Sequence, residues 1–140
     1  MTDAGYSGKP LVTKLGIKPG HRIALISAPA GFKLDGLPEN VRALGPSARD
    51  LDLVMLFVKS RAELARGFTR ETARLTDGGM LWVAWPKKAS GVKTNVTEDV
   101  VREVVLPAGW VDVKVCAVDE TWSGLKILRR RATGDGRTNT

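Results

Sequence analysis

Residues 51–58 read Leu-Asp-Leu-Val-Met-Leu-Phe-Val, with Asp52 as the only polar member. Successive side chains of a strand point to opposite faces, so a run that is apolar at nearly every position has no face to give to water. Such a run fits a strand covered on both sides, as in a parallel sheet flanked by helices. Met80–Trp85 repeats the pattern, and Ile23–Ser27 is a shorter version of it. Three such strands in one chain confine the fold to the α/β class.

The segments between them carry helix signals. Ser60 with Glu63 three residues on forms a capping box, followed by a stripe of Leu64, Ala65, Phe68 and Leu75, with Asp77-Gly78-Gly79 as the stop. Thr97 caps a second helix with Glu98 and Asp99 in its first turn. Val100, Val101, Val104 and Val105 form its apolar face, and it ends before Pro107 and Gly109. A short helix is expected over Ser7–Leu15, a turn or helix near Phe32–Leu37, and an edge strand at Val41–Leu44. Val111–Val118 alternates, with Val113, Val115 and Ala117 on one face. The short turn Asp119–Ser123 then leads into Gly124–Leu128, so these two strands must be antiparallel. The expected fold is an open, Rossmann-like three-layer sheet, mostly parallel, with an antiparallel C-terminal hairpin strand.

The length of 140 residues suits one domain, taken as residues 1–131, with 132–140 as a basic tail. No apolar run approaches the ~18 residues of a membrane span, and Met1–Gly8 lacks the regions of a signal peptide. A cytoplasmic protein is expected. With Cys116 and His21 as the sole residues of their kinds, neither a disulfide framework nor a metal site is expected. The net charge of +7 attracts anions. Arg129, Arg130, Arg131 and Arg137 stand against Asp135 alone near the C-terminus, which leaves nucleic acid as an alternative partner.

Open parallel sheets bind ligands beyond the carboxyl ends of their strands. The candidate residues therefore lie on four connections. They are Ser27 and Gly31; Ser60; Lys87, Lys88, Ser90 and Gly91; and Asp119, Glu120 and Trp122. Lys87 and Lys88 could hold a phosphate or carboxylate with the amides around Ser90-Gly91. Asp119 and Glu120 could accept bonds from a ribose, an amine or the same lysines, and Trp122 offers a ring face. His21 lies on the opposite edge, and Cys116 sits within a strand with no histidine near it in sequence.

The order of elements resembles the class I S-adenosylmethionine-dependent methyltransferases. Leu15-Gly16-Ile17-Lys18-Pro19-Gly20 before a strand, a small-residue loop ending Gly31-Phe32, and Leu75-Thr76-Asp77-Gly78-Gly79-Met80-Leu81 before a later strand are similar to that family. The family's cofactor loop carries an acid and spaced glycines. Aligned on Gly31, those places hold Leu25, Ser27 and Pro29, and on that ground S-adenosylmethionine is not expected as a cofactor. The strings Trp82–Gly91, Thr97–Glu103 and Val113–Lys126 also resemble a family of short bacterial proteins catalogued only as a domain of unknown function.

These readings lead to a degenerate methyltransferase-like module that binds a small anionic or nucleotide-like ligand without chemistry. The alternatives are an enzyme using Lys87, Lys88, Asp119 and Glu120, and a basic domain that binds protein or nucleic acid. A homodimer through the hairpin edge is a further expectation.

Overall fold

The computed structural model describes residues 10–130. In chain order the elements are α1 (Leu11–Leu15), β1 (Arg22–Ile26), β2 (Arg42–Ala43), β3 (Leu51–Phe57), α2 (Arg61–Thr72), β4 (Leu75–Pro86), α3 (Glu98–Val105), β5 (Trp110–Ala117) and β6 (Trp122–Arg129). The strands form one sheet in the order β2-β1-β3-β4-β6-β5. The first four are parallel, and β6 runs antiparallel to both β4 and β5. The expected open α/β sheet with a reversed C-terminal strand is present.

Central β3 is buried at all positions but Asp52, and β4 from Leu81 to Pro86 is buried throughout. Their side chains divide into two cores. On one face Val54, Leu56, Leu81 and Val83 meet Leu64 and Phe68 of α2 and Val101 and Val105 of α3. On the other, Met55, Phe57 and Trp82 meet Val12 and Leu15 of α1. The Trp82 indole N–H donates to the Leu15 carbonyl at 2.9 Å, which satisfies the one polar atom of a side chain that is wholly buried. Helix α2 presses close to β3: a Cβ at Gly67 would stand 2.7 Å from a Leu56 methyl.

Neither connection of β2 contains a helix. The 27–41 connection sends Phe32, Leu34 and Val41 to the α1 face, while 44–50 sends Leu44 and Ala48 to the α2 face. This alternation is what right-handed crossovers in opposite directions require. The turn or helix expected at Phe32–Leu37 is a bend without helix, and the edge strand is only Arg42–Ala43.

The 44–50 segment is held by a buried guanidinium. Arg74 donates to the carbonyls of Ala48 (2.8 Å) and Gly45 (2.6 Å) and to the Glu71 carboxylate (2.5 Å). Both side chains of the pair are almost inaccessible. Helix α2 consequently ends at Thr72, and Asp77-Gly78-Gly79 lies inside β4 rather than after a long helix. Gly78 takes φ +82°, and a Cβ at Gly79 would stand 2.9 Å from the Leu51 carbonyl oxygen, so this dipeptide serves an irregular strand pairing. Ala65, expected in the buried stripe, is exposed, and the inward positions are Leu64, Gly67, Phe68 and Glu71.

Arg129, expected at the head of the basic tail, belongs to β6 and lies 4.7 Å above the Trp110 ring. Residues 132–140 and the start of the Ser7–Leu15 helix lie outside the described residues. No helix among those described is long and apolar enough to cross a membrane.

Two outcomes follow for stability. Arg74→Met takes the donor from the Ala48 carbonyl and leaves the buried Glu71 carboxylate with Arg70 alone, and should lower unfolding free energy by about 3 kcal/mol in urea titrations. Arg61→Met removes only the exposed pair with Glu103 and should cost less than about 1 kcal/mol. The second outcome concerns pH. Arg102 of α3 bonds Asp112 of β5 at 2.8 Å, and this bond holds the Asp112 carboxyl below its ordinary range. A lowered folded value favours the fold above the unfolded aspartate pKa of about 3.9, and the gain disappears as pH falls through the folded value. Asp112→Asn should therefore be less stable than the parent at pH 7, and the gap should narrow steadily below about pH 4.

Candidate functional site

The order β2-β1-β3 places β1 between a strand reached by one crossover and a strand reached by the opposite one. The carboxyl ends of β1 and β3 are thus the switch point, where loops leave toward opposite faces and a crevice opens between them. A crevice of about 400 Å³ lies there. Ser27 lines it from the end of β1, and Leu56, Phe57, Val58 and Lys59 line it from the end of β3. Trp122, the first residue of β6, contributes from the far side, while Glu63, Arg66 and Arg70 form the wall on α2.

The wall follows from helical spacing. Positions 63, 66 and 70 recur at intervals of three and four, so they share a face of α2 beside the buried stripe Leu64, Phe68 and Glu71. The cap sets where that face begins. Ser60 Oγ accepts from the Glu63 N–H at 3.1 Å, and Glu63 Oε1 accepts from the Lys59 N–H at 2.7 Å. Ser60 is thereby a cap at the mouth of the crevice, with its hydroxyl engaged. Arg70 Nε bonds Glu71, whereas no described carboxylate pairs with Lys59 or Arg66.

The floor is apolar. Phe57 meets Trp122 edge-to-face at 5.1 Å and Phe32 at 5.0 Å, and Trp122 is 5% exposed. Ser27 adopts φ +61°, the left-handed region that a non-glycine residue rarely enters, and Gly31 adopts +81°. The loop after β1 therefore has a glycine-like backbone at Ser27 even though its sequence lacks the glycine.

The remaining candidates stand on the neighbouring connections. Lys88–Ser90 is a single 3₁₀ turn, closed by Gly91 at φ +78°. Ser90 Oγ donates to the Lys87 carbonyl at 2.6 Å and accepts from the Val92 N–H at 3.1 Å. Asp119 Oδ1 accepts from the Thr121 and Trp122 N–H groups, both at 2.8 Å, so this carboxylate closes its own turn. The Lys87 N–H donates to the Thr121 carbonyl at 2.7 Å, which joins the two connections through their backbones. No ion pair links Lys87 or Lys88 with Asp119 or Glu120 among the described residues.

Of the sequence candidates, the crevice gathers Ser27 and Trp122, with Ser60 at its mouth. Gly31, Lys87, Lys88, Ser90, Gly91, Asp119 and Glu120 do not line it. Lys59 belongs to the connection Lys59-Ser60-Arg61 that the sequence offers at a strand end, whereas Phe57, Glu63, Arg66 and Arg70 escaped the sequence reading as site residues. For the last three the signal was the second face of α2, beside the apolar stripe. His21 sits at the amino edge, where its Nδ1 accepts from the Lys18 N–H. Burial raises the Cys116 thiol above its ordinary pKa, which opposes a nucleophilic role. Among the described residues no group of three His, Cys, Asp or Glu could hold a metal ion.

No protein-family model matches the chain, and no curated protein does. The resemblance to a family of unknown function thus gains no support. Solved structures do match. A S-adenosylmethionine-dependent methyltransferase from Aquifex aeolicus superposes with a TM-score of 0.63 at 13% identity, covering 84% of this chain and 86% of that one. The DhpI–S-adenosylhomocysteine complex gives 0.58 at 14% identity, covering 81% and 78%. A Sulfolobus solfataricus protein classed with the type 11 methyltransferases gives 0.50 at 15%, covering 68% of this chain, which spans 62% of that protein's length. These neighbours overturn the expectation that S-adenosylmethionine is excluded. Leu25, Ser27 and Pro29 are no ground for exclusion, because Ser27 supplies a glycine-like backbone and strand order builds the crevice. What the likeness shows is the fold: the chain has the methyltransferase-like Rossmann architecture.

Proposed function

We propose that this chain is a methyltransferase-like binding domain whose switch-point crevice holds a small ligand bearing both a nucleoside and an anionic group. The observation that carries this reading is the pairing of an apolar floor with a cationic wall in one crevice. Phe57, Val58 and Trp122 supply the floor, and Lys59 and Arg66 supply charge without a carboxylate partner. A ring gains from burial against the floor, and a carboxylate or phosphate gains charge-assisted hydrogen bonds from the wall. S-adenosylhomocysteine and S-adenosylmethionine both combine an adenosine with a carboxylate, and one of the neighbours is a complex with the former. They are the first members of the class to try, with ADP as the phosphate-bearing member. The proposed function is binding: Glu63, the carboxylate on the crevice wall, is already engaged with the Lys59 N–H.

Titration calorimetry and thermal unfolding with the three nucleosides test the reading. A ligand held at 100 times its Kd should add about 2.7 kcal/mol of stability. Arg66→Ala should weaken binding about tenfold, or about 1.4 kcal/mol, and leave the melting of the free protein unchanged. Arg42→Ala, on the opposite edge, should bind like the parent. A flat response to all three nucleosides would sink the proposal, as would an Arg66→Ala variant that binds with full affinity.

A further inference from the structure

The cations of this protein are unevenly committed. Arg22, Arg49 and Arg74 donate to main-chain carbonyls at the amino edge of the sheet. Arg61 pairs with Glu103, and Arg102 pairs with Glu98, Asp99 and Asp112. At the carboxyl edge the pattern reverses. Lys59, Arg66, Lys88 and Lys93 are exposed, Lys87 is half-buried, and none has a described carboxylate partner.

These five residues belong to one continuous rim. Thr94 Oγ1 donates to the Lys59 carbonyl at 2.7 Å, and Asn95 Oδ1 accepts from the Arg61 N–H at 2.8 Å, so the segment carrying Lys93 is fastened to the start of α2. The Lys87 N–H bond to Thr121 fastens the other end of that connection beside Trp122. The acids nearby are largely engaged: Glu63 and Asp119 accept backbone N–H groups, Glu103 pairs with Arg61, and Glu98 and Asp99 pair with Arg102, which leaves Glu120.

We infer that this rim docks the phosphodiester backbone of a single-stranded nucleic acid across the mouth of the crevice. The row runs from α2 through the 93–95 segment to the turn at 88–90, so it reaches past what a single phosphate can touch and suits a chain of them. Protein partners are disfavoured by composition. A protein interface needs an apolar centre, yet the exposed large apolar residues, Leu37, Leu106, Val113 and Val115, belong to other segments. Interfaces with nucleic acid are polar and strongly positive, as this rim is. A single strand bends into a concave mouth more readily than a duplex, which is stiff over about 150 base pairs. This docking shares Lys59 and Arg66 with the crevice wall, whereas Lys87, Lys88 and Lys93 lie outside the crevice lining, so reversing Lys88 and Lys93 tests the rim apart from the nucleoside-binding reading.

Fluorescence anisotropy of the full chain with labelled 20-nucleotide oligo-dT and oligo-U tests it. Affinity should fall with salt by a log–log slope of about −0.7 for each phosphate neutralised, so about −3 for four contacts. Lys88→Glu/Lys93→Glu should weaken binding at least tenfold. Lys18→Glu/Arg42→Glu, with the same change in net charge but on the amino edge, should weaken it less than threefold. Thermal unfolding confirms that both variants fold, and single reversals replace a double that does not. Equal losses in the two doubles would mean that net charge alone attracts the strand, and would overturn the rim. So would an absence of binding at low salt, tighter binding of duplex of the same length, or equal affinity for poly-glutamate.

Discussion

Two central strands with no polar face set the terms for everything else in this molecule. Burial of apolar surface is worth about 25 cal/mol per Å², and β3 and β4 present such surface on both sides along most of their length. Neither face can be left to water, so the chain must supply cover twice. It does so with α2 and α3 on one face and with α1 and the 27–41 connection on the other. The wholly buried Trp82 shows how closely the second cover fits, since its indole N–H finds its acceptor in α1, 67 residues earlier in sequence.

The cover thins at β1 and β2. A full crossover takes a helix, and the 44–50 segment is too short to hold one. A loop laid over a sheet brings main-chain carbonyls with it, and these need donors once water is removed. Arg74 provides them for Gly45 and Ala48, and Glu71 balances its charge within the same buried cluster. Because this loop is thin, the α2 face bearing Arg66 and Arg70 is left open beside the ends of β1 and β3. The crevice is thus a product of economy in the covering layer as much as of strand order.

Local rules read much of this in advance. The run at 51–58, the caps Ser60 and Thr97, and the stop at Pro107 each depend on residues within a few positions of one another, and each holds. What escaped depends on distant partners. Asp77-Gly78-Gly79 looks like a helix stop, but its second glycine is needed because the Leu51 carbonyl comes close across the sheet. The alternation of Val113 and Val115 is read correctly as a strand pattern. Both valines are nonetheless about half exposed, on the edge strand of the sheet. At the site, polar strings such as Lys87–Gly91 and Asp119–Gly124 drew attention for their chemistry. Several of their polar atoms close their own turns, whereas the wall came from the unremarked second face of α2.

Ser27 shows why a loop motif and a loop conformation are different kinds of information. A glycine is placed in a ligand-binding loop for its access to positive φ and for the room it leaves. The sequence test asks for the residue, while a ligand meets only the backbone it produces. A serine at φ +61° carries strain of order 1–3 kcal/mol that the surrounding structure must over-determine. Here the next residues are pinned: Phe32, five positions on, packs on Phe57, which in turn packs on Trp122. The aromatic chain that floors the crevice thus also anchors the loop that flanks it. Strain of this size persists where packing enforces it; Asn40 and Asp50 also take positive φ outside the crevice lining, but those residue types enter that region readily and serine does not. The loop thus keeps at Ser27 the backbone that a glycine would give, and the identities of Leu25, Ser27 and Pro29 do not by themselves decide what the crevice can hold.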